Sequence, residues 1–479
     1  MAYKYGDRSQ ITFLPDCVDN YVGADDPVRA YDTFIDALKP QSIGLQIDPN
    51  AVGPPPYDPI VMVKILVYSY SYGWRGSRKI ERALHHNLSF IWLAGGLKPD
   101  FKTISKFRKD NKEVFKKTLK QCARICFTLG LIEGNTLFVD GSKFRANAGT
   151  NQTKNKQSWE KIRKGVEQQI DIILDECERI DNEETESLVK VKKELKSQTR
   201  LKAKIDTILK ALNEEEKING TDPDSKIMNS RQGSHAGYNG QIVVDEKNGL
   251  IVSMDITSDA NDLNQMEKQI TQAEEILAKP CQNACADAGY SSVDDLKLLV
   301  DKDRTVVVPT PKQVAKDGKE NRFDKHAFSY DATSDTYTCP VGKQMYRSYE
   351  KKEKNLIVYR MTEPSACGLC QHFGECTKAK RGRTISRLKN EETKECLEQI
   401  YDSDQGQLIY AKRKMKAELP FGHLKRNLGA GQFLLRGFEG VKAEFAILGS
   451  SFNIARMLTL LGGVRPLREA FIAKGLIRS

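Results

Sequence analysis

Apolar positions in this chain change their period more than once, and each change marks a change of structure. From residue 58 to residue 129 they recur at helical spacing. Asp58-Pro59 reads as a helix start with proline in the first turn, and Ile60, Val63, Lys64, Val67 and Tyr68 follow at helical spacing. Ser77 reads as the cap of a second helix with Ile80, Ala83 and Leu84 on one face. Asp100 to Phe107 starts another, and Val114 to Leu129 continues the pattern. The first 50 residues lack this period and read as loop, with one strand-like run at Gln10–Leu14. Gly53-Pro54-Pro55-Pro56 then reads as a stiff connector. Residues 1–130 are therefore expected to form an N-terminal helical domain.

At Gly134 the pattern shortens. Asn135 to Gly141 predicts a short buried strand that ends in Asp140. Residues 154–218 are dominated by Lys, Glu, Gln and Asp, with Val166, Ile170, Ile173 and Leu174 at spacings of one to four. This predicts a helical hairpin or short coiled coil, either a solvated spacer or an arm that faces a partner. Gln241–Val244 and Leu250–Ile256 predict two strands joined by the turn Glu246-Lys247-Asn248-Gly249. Asp262 is expected to open a helix running to Leu277. A strand at Asn283–Asp287, a helix at Val293–Val300 and a strand at Thr305–Val308 follow. Residues 311–390 break the pattern, being rich in Lys, Arg and Cys, and helical periodicity resumes near Glu391. The order of elements matches an α/β, ribonuclease-H-like mixed sheet with helices. Its core is expected in 131–153, 219–318 and 391–479, interrupted by a helical insertion at 154–218 and a basic Cys-rich insertion at 319–390.

Composition narrows the class. The 479 residues are 39% hydrophobic and 29% charged, as in a soluble globular protein, and no run of about 18 apolar residues predicts a membrane span. With no signal-like segment near Met1, the expected location is the cytosol. Lys and Arg number 75 against 64 acids, a net charge of +11. That excess suits a polyanionic partner and equally a basic soluble enzyme. Eleven cysteines in a cytosolic chain argue against a disulfide framework.

Three acids are the candidate catalytic residues. Asp140 ends one predicted strand and Asp287, in Cys285-Ala286-Asp287-Ala288-Gly289-Tyr290, ends another. Strand ends of α/β sheets are where ligands bind, and glycine beside them permits close approach. Glu418 stands in a segment crowded with cations, Tyr410-Ala411-Lys412-Arg413 through Lys425. Metal-binding carboxylates beside phosphate-binding cations are what phosphoryl transfer on DNA requires.

On these residues the chain resembles the DDE-type insertion-sequence transposases, in particular insertion-sequence family 1182 of the wider IS4/IS5-like group. The resemblance covers nearly the whole chain. It runs through Asp58-Pro59, Gly73 to Glu81, Pro99 to Arg108, the Asp140 motif, Asp222-Pro223-Asp224-Ser225, Gly237-Tyr238-Asn239, Asn261-Asp262 and Asp287 to Tyr290. Tyr410, Arg413, Glu418 and Lys425 resemble the Tyr-x2-Arg-x3-Glu-x6-Lys signature of that group, with the Arg-to-Glu spacing one residue longer. The resemblance implies a bacterial transposase that acts on double-stranded DNA at terminal inverted repeats and at target sites. It implies assembly as a homo-oligomer and a two-metal mechanism with Mg²⁺ (or Mn²⁺) held by Asp140, Asp287 and Glu418. Lys425 and Arg413 would hold phosphates, and Tyr410 would hold phosphate or simply pack. Arg75, Arg78 and Lys79 are the basic residues of the helical block expected to meet DNA, although a solvated helix face explains them too.

Cys339, Cys367, Cys370 and Cys376 cluster in the basic insertion, with one Cys-x2-Cys knuckle at 367–370. Thiolates at this spacing suit a tetrahedral structural Zn²⁺, with His372 as a spare ligand. Four reduced cysteines in a loop-rich insert is the other reading. Two further functions stay open: a metal-dependent nuclease that cuts without joining, and a transposase-derived DNA-binding protein without catalysis.

Overall fold

The computed structural model describes residues 17–45, 57–183, 189–213, 216–230, 233–314, 322–363 and 365–478. The strand expected at Gln10–Leu14 and the Gly53–Pro56 connector lie outside these residues. The chain divides into two units: 1–262, 268–284 and 412–479 form the first, and 263–267 and 285–411 the second.

The first unit opens with six helices: α1 (Pro27–Asp36), α2 (Pro59–Ser71), α3 (Ser77–His86), α4 (Leu88–Leu93), α5 (Phe101–Asp110) and α6 (Lys112–Thr128). Helix α1 occupies a region that lacks a clear helical period in the sequence. Asp26 caps it by accepting the Val28 N–H, and Pro27 pre-sets its first turn. Asp58 caps α2 in the same way, accepting from Ile60. Helix α3 starts at Ser77 after Gly76, without a side-chain cap.

Strand β1 (Thr136–Arg145) follows. A short strand β2 (Thr153–Asn155) leads into α7 (Lys156–Glu183) and α8 (Val189–Ala211), and β3 (Lys217–Asn219) pairs back with β2. Trp159, Val166, Ile205, Ile208 and Leu212 form this hairpin's own apolar core, while Leu174 of the expected stripe is exposed. Strands β4 (Lys226–Ser230), β5 (Gly233–Asp245) and β6 (Ile251–Thr257) come next, then α9 (Met266–Leu277) and β7 (Asn283–Cys285). Long β5 is the hub of the sheet. It pairs antiparallel with β1 along one side and with β4 and then β6 along the other. Strand β7 neighbours β1 on its far side.

In the second unit, α10 (Val293–Val300) and β8 (Thr305–Val307) precede five strands: β9 (Ser329–Asp331), β10 (Thr336–Thr338), β11 (Gln344–Lys351), β12 (Leu356–Met361) and β13 (Thr384–Leu388). The short helix α11 (Ser365–Gly368) interrupts them. The five strands form an antiparallel sheet in the order β13-β12-β11-β10-β9 over a core of Phe328, Tyr337, Met345, Tyr359 and Ile385. The region that breaks the sequence pattern is thus a small sheet. One face of β11 is solvated, and its Tyr346, Arg347 and Tyr349 hide the alternation on which strand reading depends. Helix α12 (Glu391–Asp402) follows, and α13 (Asp404–Gly422) begins in the second unit and ends in the first.

Two helices complete the first unit: α14 (Phe438–Leu461) and α15 (Val464–Ala473). Helix α14 is buried nearly all round and packs on α2, α6 and β6. Gly449 makes the last contact possible, because a Cβ there would collide with the Met254 sulfur. Asn453 bonds both the N–H and the C=O of Ile251 at 2.9 and 2.8 Å, acting as a short piece of extra strand. The N-terminal helices and the C-terminal helix α14 therefore share one core. No single helix among the described residues is long and apolar enough to cross a membrane.

Candidate active site

Asp140, expected to end its strand, lies in the middle of β1, because pairing with β5 carries the strand on to Arg145; it stands opposite Ile242 with only 8% of the residue exposed. Its Oδ1 accepts the N–H of Gly141 at 3.0 Å and lies 3.5 Å from the Arg413 guanidinium. The next residue explains a glycine. A Cβ on Gly141 would collide with the Asp262 carboxylate and lie 2.7 Å from Gln241 Nε2. Asp262 is pinned there by Asn239 Nδ2 at 2.6 Å and Gln241 Nε2 at 2.7 Å, both from β5. Asp262 was expected to open a helix; α9 instead starts at Met266, and Asp262 braces the strand pair beside the catalytic candidate.

Helix α13 brings Glu418 to the same edge. Pro420 removes one backbone donor from this helix, and a π-helical turn at His423–Asn427 follows. The turn directs Lys425 inward, where its ammonium donates to Ser142 Oγ at 2.6 Å and to Lys143 O at 2.7 Å. Burial pushes this ammonium down to about 8, with Asp140 opposing the shift and Lys143 adding to it. Phe144, Phe421, Phe433 and Phe445 pack into one another on the same side of β1 and form an apolar floor. Glu418, exposed, lines an open groove of about 640 Å³ together with Gly141, Ser142, Lys143 and Lys425. Asp140, Arg413, Glu418 and Lys425 are thus brought to one place in the first unit.

Asp287 and Tyr410 belong to the second unit. Asp287 follows β7 and caps a short 3-10 turn by accepting the Gly289 N–H at 2.9 Å. Tyr410 stacks edge to face on Tyr401 at 5.1 Å. Among the described residues, no group of three or more His, Cys, Asp or Glu is gathered to hold a metal ion.

The basic residues of the helical block differ from one another. Arg75, expected at a DNA-facing surface, is interior at 9% exposure. It pairs with fully buried Glu444 at 2.9 Å and donates to Gln432 O and Gly429 O, both at 2.8 Å. Arg78 and Lys79 lie over the Phe101 and Trp74 rings, at 4.6 and 5.0 Å from the centroids.

In the second unit Cys339, Cys367, Cys370 and Cys376 line one small pocket of about 30 Å³ with Phe323, Phe328 and His372. All four thiols are free. Burial first, and then the neighbouring Cys367, Cys339 and Cys370 against an opposing Arg383, push the Cys376 thiol up.

Sequence reasoning missed Asn239, Gln241 and His235 on β5, and Ser142 and Arg145 on β1. Their signal was the polar alternation within two buried strands, where an inward amide has no reason to be except to bond something.

Residues 338–458 match the family model of a transposase DDE domain, and residues 16–110 match that of a transposase domain (DUF772). The first match contains Glu418, Arg413, Tyr410, Lys425 and the four clustered cysteines; the second contains Arg75, Arg78 and Lys79; Asp140 and Asp287 lie in neither. No curated protein and no solved structure matches the chain. A DDE domain implies an enzyme that cleaves DNA and transfers strands, and the two matches together support a DDE-type transposase.

Proposed function

We propose that the chain is a transposase of insertion-sequence family 1182 with a ribonuclease-H-like catalytic core, and that Asp140, Asp287 and Glu418 are its catalytic acids. The observation that carries the reading is the groove at the end of β1. There Glu418 from α13 lines the groove with Gly141, the residue that follows Asp140 within β1, and Arg413 stands beside Asp140 and Lys425 beside Ser142. Oxygen-only donors of this kind suit Mg²⁺ or Mn²⁺. Such an ion, held by Asp140, Glu418 and Asp287, would activate water or a 3′-hydroxyl and stabilise the leaving oxygen. Arg413, 3.5 Å from Asp140, would orient that carboxylate, and Lys425 would hold a phosphate oxygen next to the cut. The Phe144–Phe421–Phe433 floor keeps water from the underside of the strand.

Double-stranded DNA, as terminal inverted repeats and as target, is the substrate of this reading, and a homo-oligomer is the working assembly. Arg78 and Lys79 remain the helical-block residues proposed to meet DNA, whereas Arg75 holds the interior. The four cysteines of the second unit are proposed as a structural Zn²⁺ site. The four line one pocket from three separate stretches of chain, which supports this, although no three of them are gathered closely enough here to hold an ion.

The test is Asp140→Asn, which keeps the shape and removes the charge. This variant should fold and bind the element's ends but fail to cleave them or join them to target DNA in Mg²⁺. Cleavage at near wild-type rate would leave Asp140 a structural residue of β1 and end the proposal.

A further inference from the structure

The groove beside Glu418 continues past the catalytic candidates. Its outer wall carries Arg145, the last residue of β1, and Arg426, from the π-helical turn. Both are exposed, and neither guanidinium makes a hydrogen bond or ion pair among the described residues. Backbone geometry sets their positions. Arg145 N–H bonds Gly431 O at 3.0 Å, and Arg145 O accepts the Phe433 N–H at 2.9 Å. The end of β1 is thereby tied to the segment that follows the π-helical turn. Lys143 and Lys425 line the same groove, and Glu418 is its only carboxylate. His235 closes one side at 6% exposure, with Nδ1 on Gly233 O at 3.2 Å and Nε2 without a partner.

We infer that this groove binds the sugar-phosphate backbone of a single DNA strand next to the reacting phosphate, with Arg145 and Arg426 as its phosphate contacts. This rests on the transposase reading and deepens it. Guanidinium forks match phosphate oxygens in pairs, and two that lack carboxylate partners among the described residues need break no ion pair to be recruited. A groove of about 640 Å³ is of the size that takes a small-molecule-sized group, such as one strand's nucleotide. Lys143, Arg145, Lys425 and Arg426 line the groove against Glu418, so its field is positive. Burial and then the charges of Arg145 and Lys425 hold the His235 imidazole below its ordinary range, against the bond from Gly233. A bound phosphate relieves that crowding.

The experiment separates this inference from the catalytic one, because it uses the full chain carrying Asp140→Asn, without metal, and reads binding alone. Fluorescent single-stranded and duplex oligonucleotides are titrated across salt concentrations. Each lost phosphate contact makes the slope of log K against log salt shallower by about 0.7 for a single strand. Arg145→Gln with Arg426→Gln should therefore flatten the single-strand slope by about 1.4, with unchanged thermal unfolding. Arg465→Gln, an exposed arginine in α15 paired with Glu469, should leave it unchanged and controls for net charge. An unaltered single-strand slope in the double variant overturns the inference. So does a loss confined to the duplex, or an equal loss in Arg465→Gln. Failure of Asp140→Asn to abolish cleavage would overturn the catalytic reading without touching these slopes.

Discussion

Replacing Arg75 with Ala leaves the Glu444 carboxylate in the core without its cation. Glu444 is fully buried; one oxygen faces Arg75 at 2.9 Å and the other accepts the N–H groups of Leu434 and Leu435 at 2.8 Å. The lost guanidinium also strands the carbonyls of Gln432 and Gly429, each bonded at 2.8 Å. Breaking a buried pair from one side costs about 3–5 kcal/mol, because the remaining charge is uncompensated. Against a typical total of about 5–15 kcal/mol this is a large fraction. For a unit of about 350 residues, at about 2.1 cal/mol/K per residue, each kcal/mol moves the melting point by about 1.4 °C, so a drop of about 4–7 °C is expected. The assay is thermal unfolding of the DNA-free protein, run as a double-mutant cycle. Glu444→Gln in the Arg75→Ala background should recover part of the loss, since the neutral amide needs no counter-charge. An Arg75→Ala protein that melts like wild type yet no longer binds DNA would refute the interior assignment and return Arg75 to the surface.

Three other outcomes follow from the geometry. Gly141→Ala should cost about 1–3 kcal/mol by overpacking against Asp262 and Gln241, and should slow cleavage further by shifting Asp140; full activity with unchanged stability would contradict the bracing of β1 by Asp262. Burial would raise the Asp255 carboxyl, but ion pairs with Lys268 and Lys442 outweigh it and hold the group below the ordinary carboxylate range. A depressed carboxylate gives stability that is present above its unfolded value and lost as pH falls through its folded value. The stability gap between wild type and Lys442→Met, read from urea midpoints, should therefore shrink below about pH 4, and a constant gap would count against the pairing. Freshly purified protein should carry about one zinc per chain, lost in Cys367→Ser with Cys370→Ser, and metal analysis that finds none in wild type would remove the zinc proposal.

The elements legible in the sequence were those whose periodicity is local. Asp58-Pro59 announced α2, Asp100 announced α5, and the Glu246–Gly249 turn announced the β5–β6 hairpin. The apolar run into Asp140 announced β1 but not its end, because the pairing with β5 that carries the strand on to Arg145 involves a partner about 100 residues away. What sequence hid depends on distant partners. Gly-Trp-Arg-Gly-Ser reads as a solvated basic turn, and only Glu444, 369 residues later, makes Arg75 an interior residue. The small sheet of β9 to β13 was hidden differently. Its strands expose Arg, Lys and Tyr side chains on one face and have only a few large residues to bury on the other, so neither period stands out.

The helical hairpin of α7 and α8, within the first unit, departs from the main chain path and returns to it at nearly one point. Thr153 and Asn219 face each other across the β2–β3 pair, and Asn219 ties both Gly149 O and Thr153 Oγ1 at 2.8 Å. Trp159 seals the joint by donating to Ile218 O and filling the space beside Gly220, where any side chain would strike its ring. A clasp of this kind makes the excursion a cassette. Whole helical turns can be added to or removed from both arms with no change in the distance the sheet must span, so the reach of the arm and the catalytic scaffold are free to diverge independently.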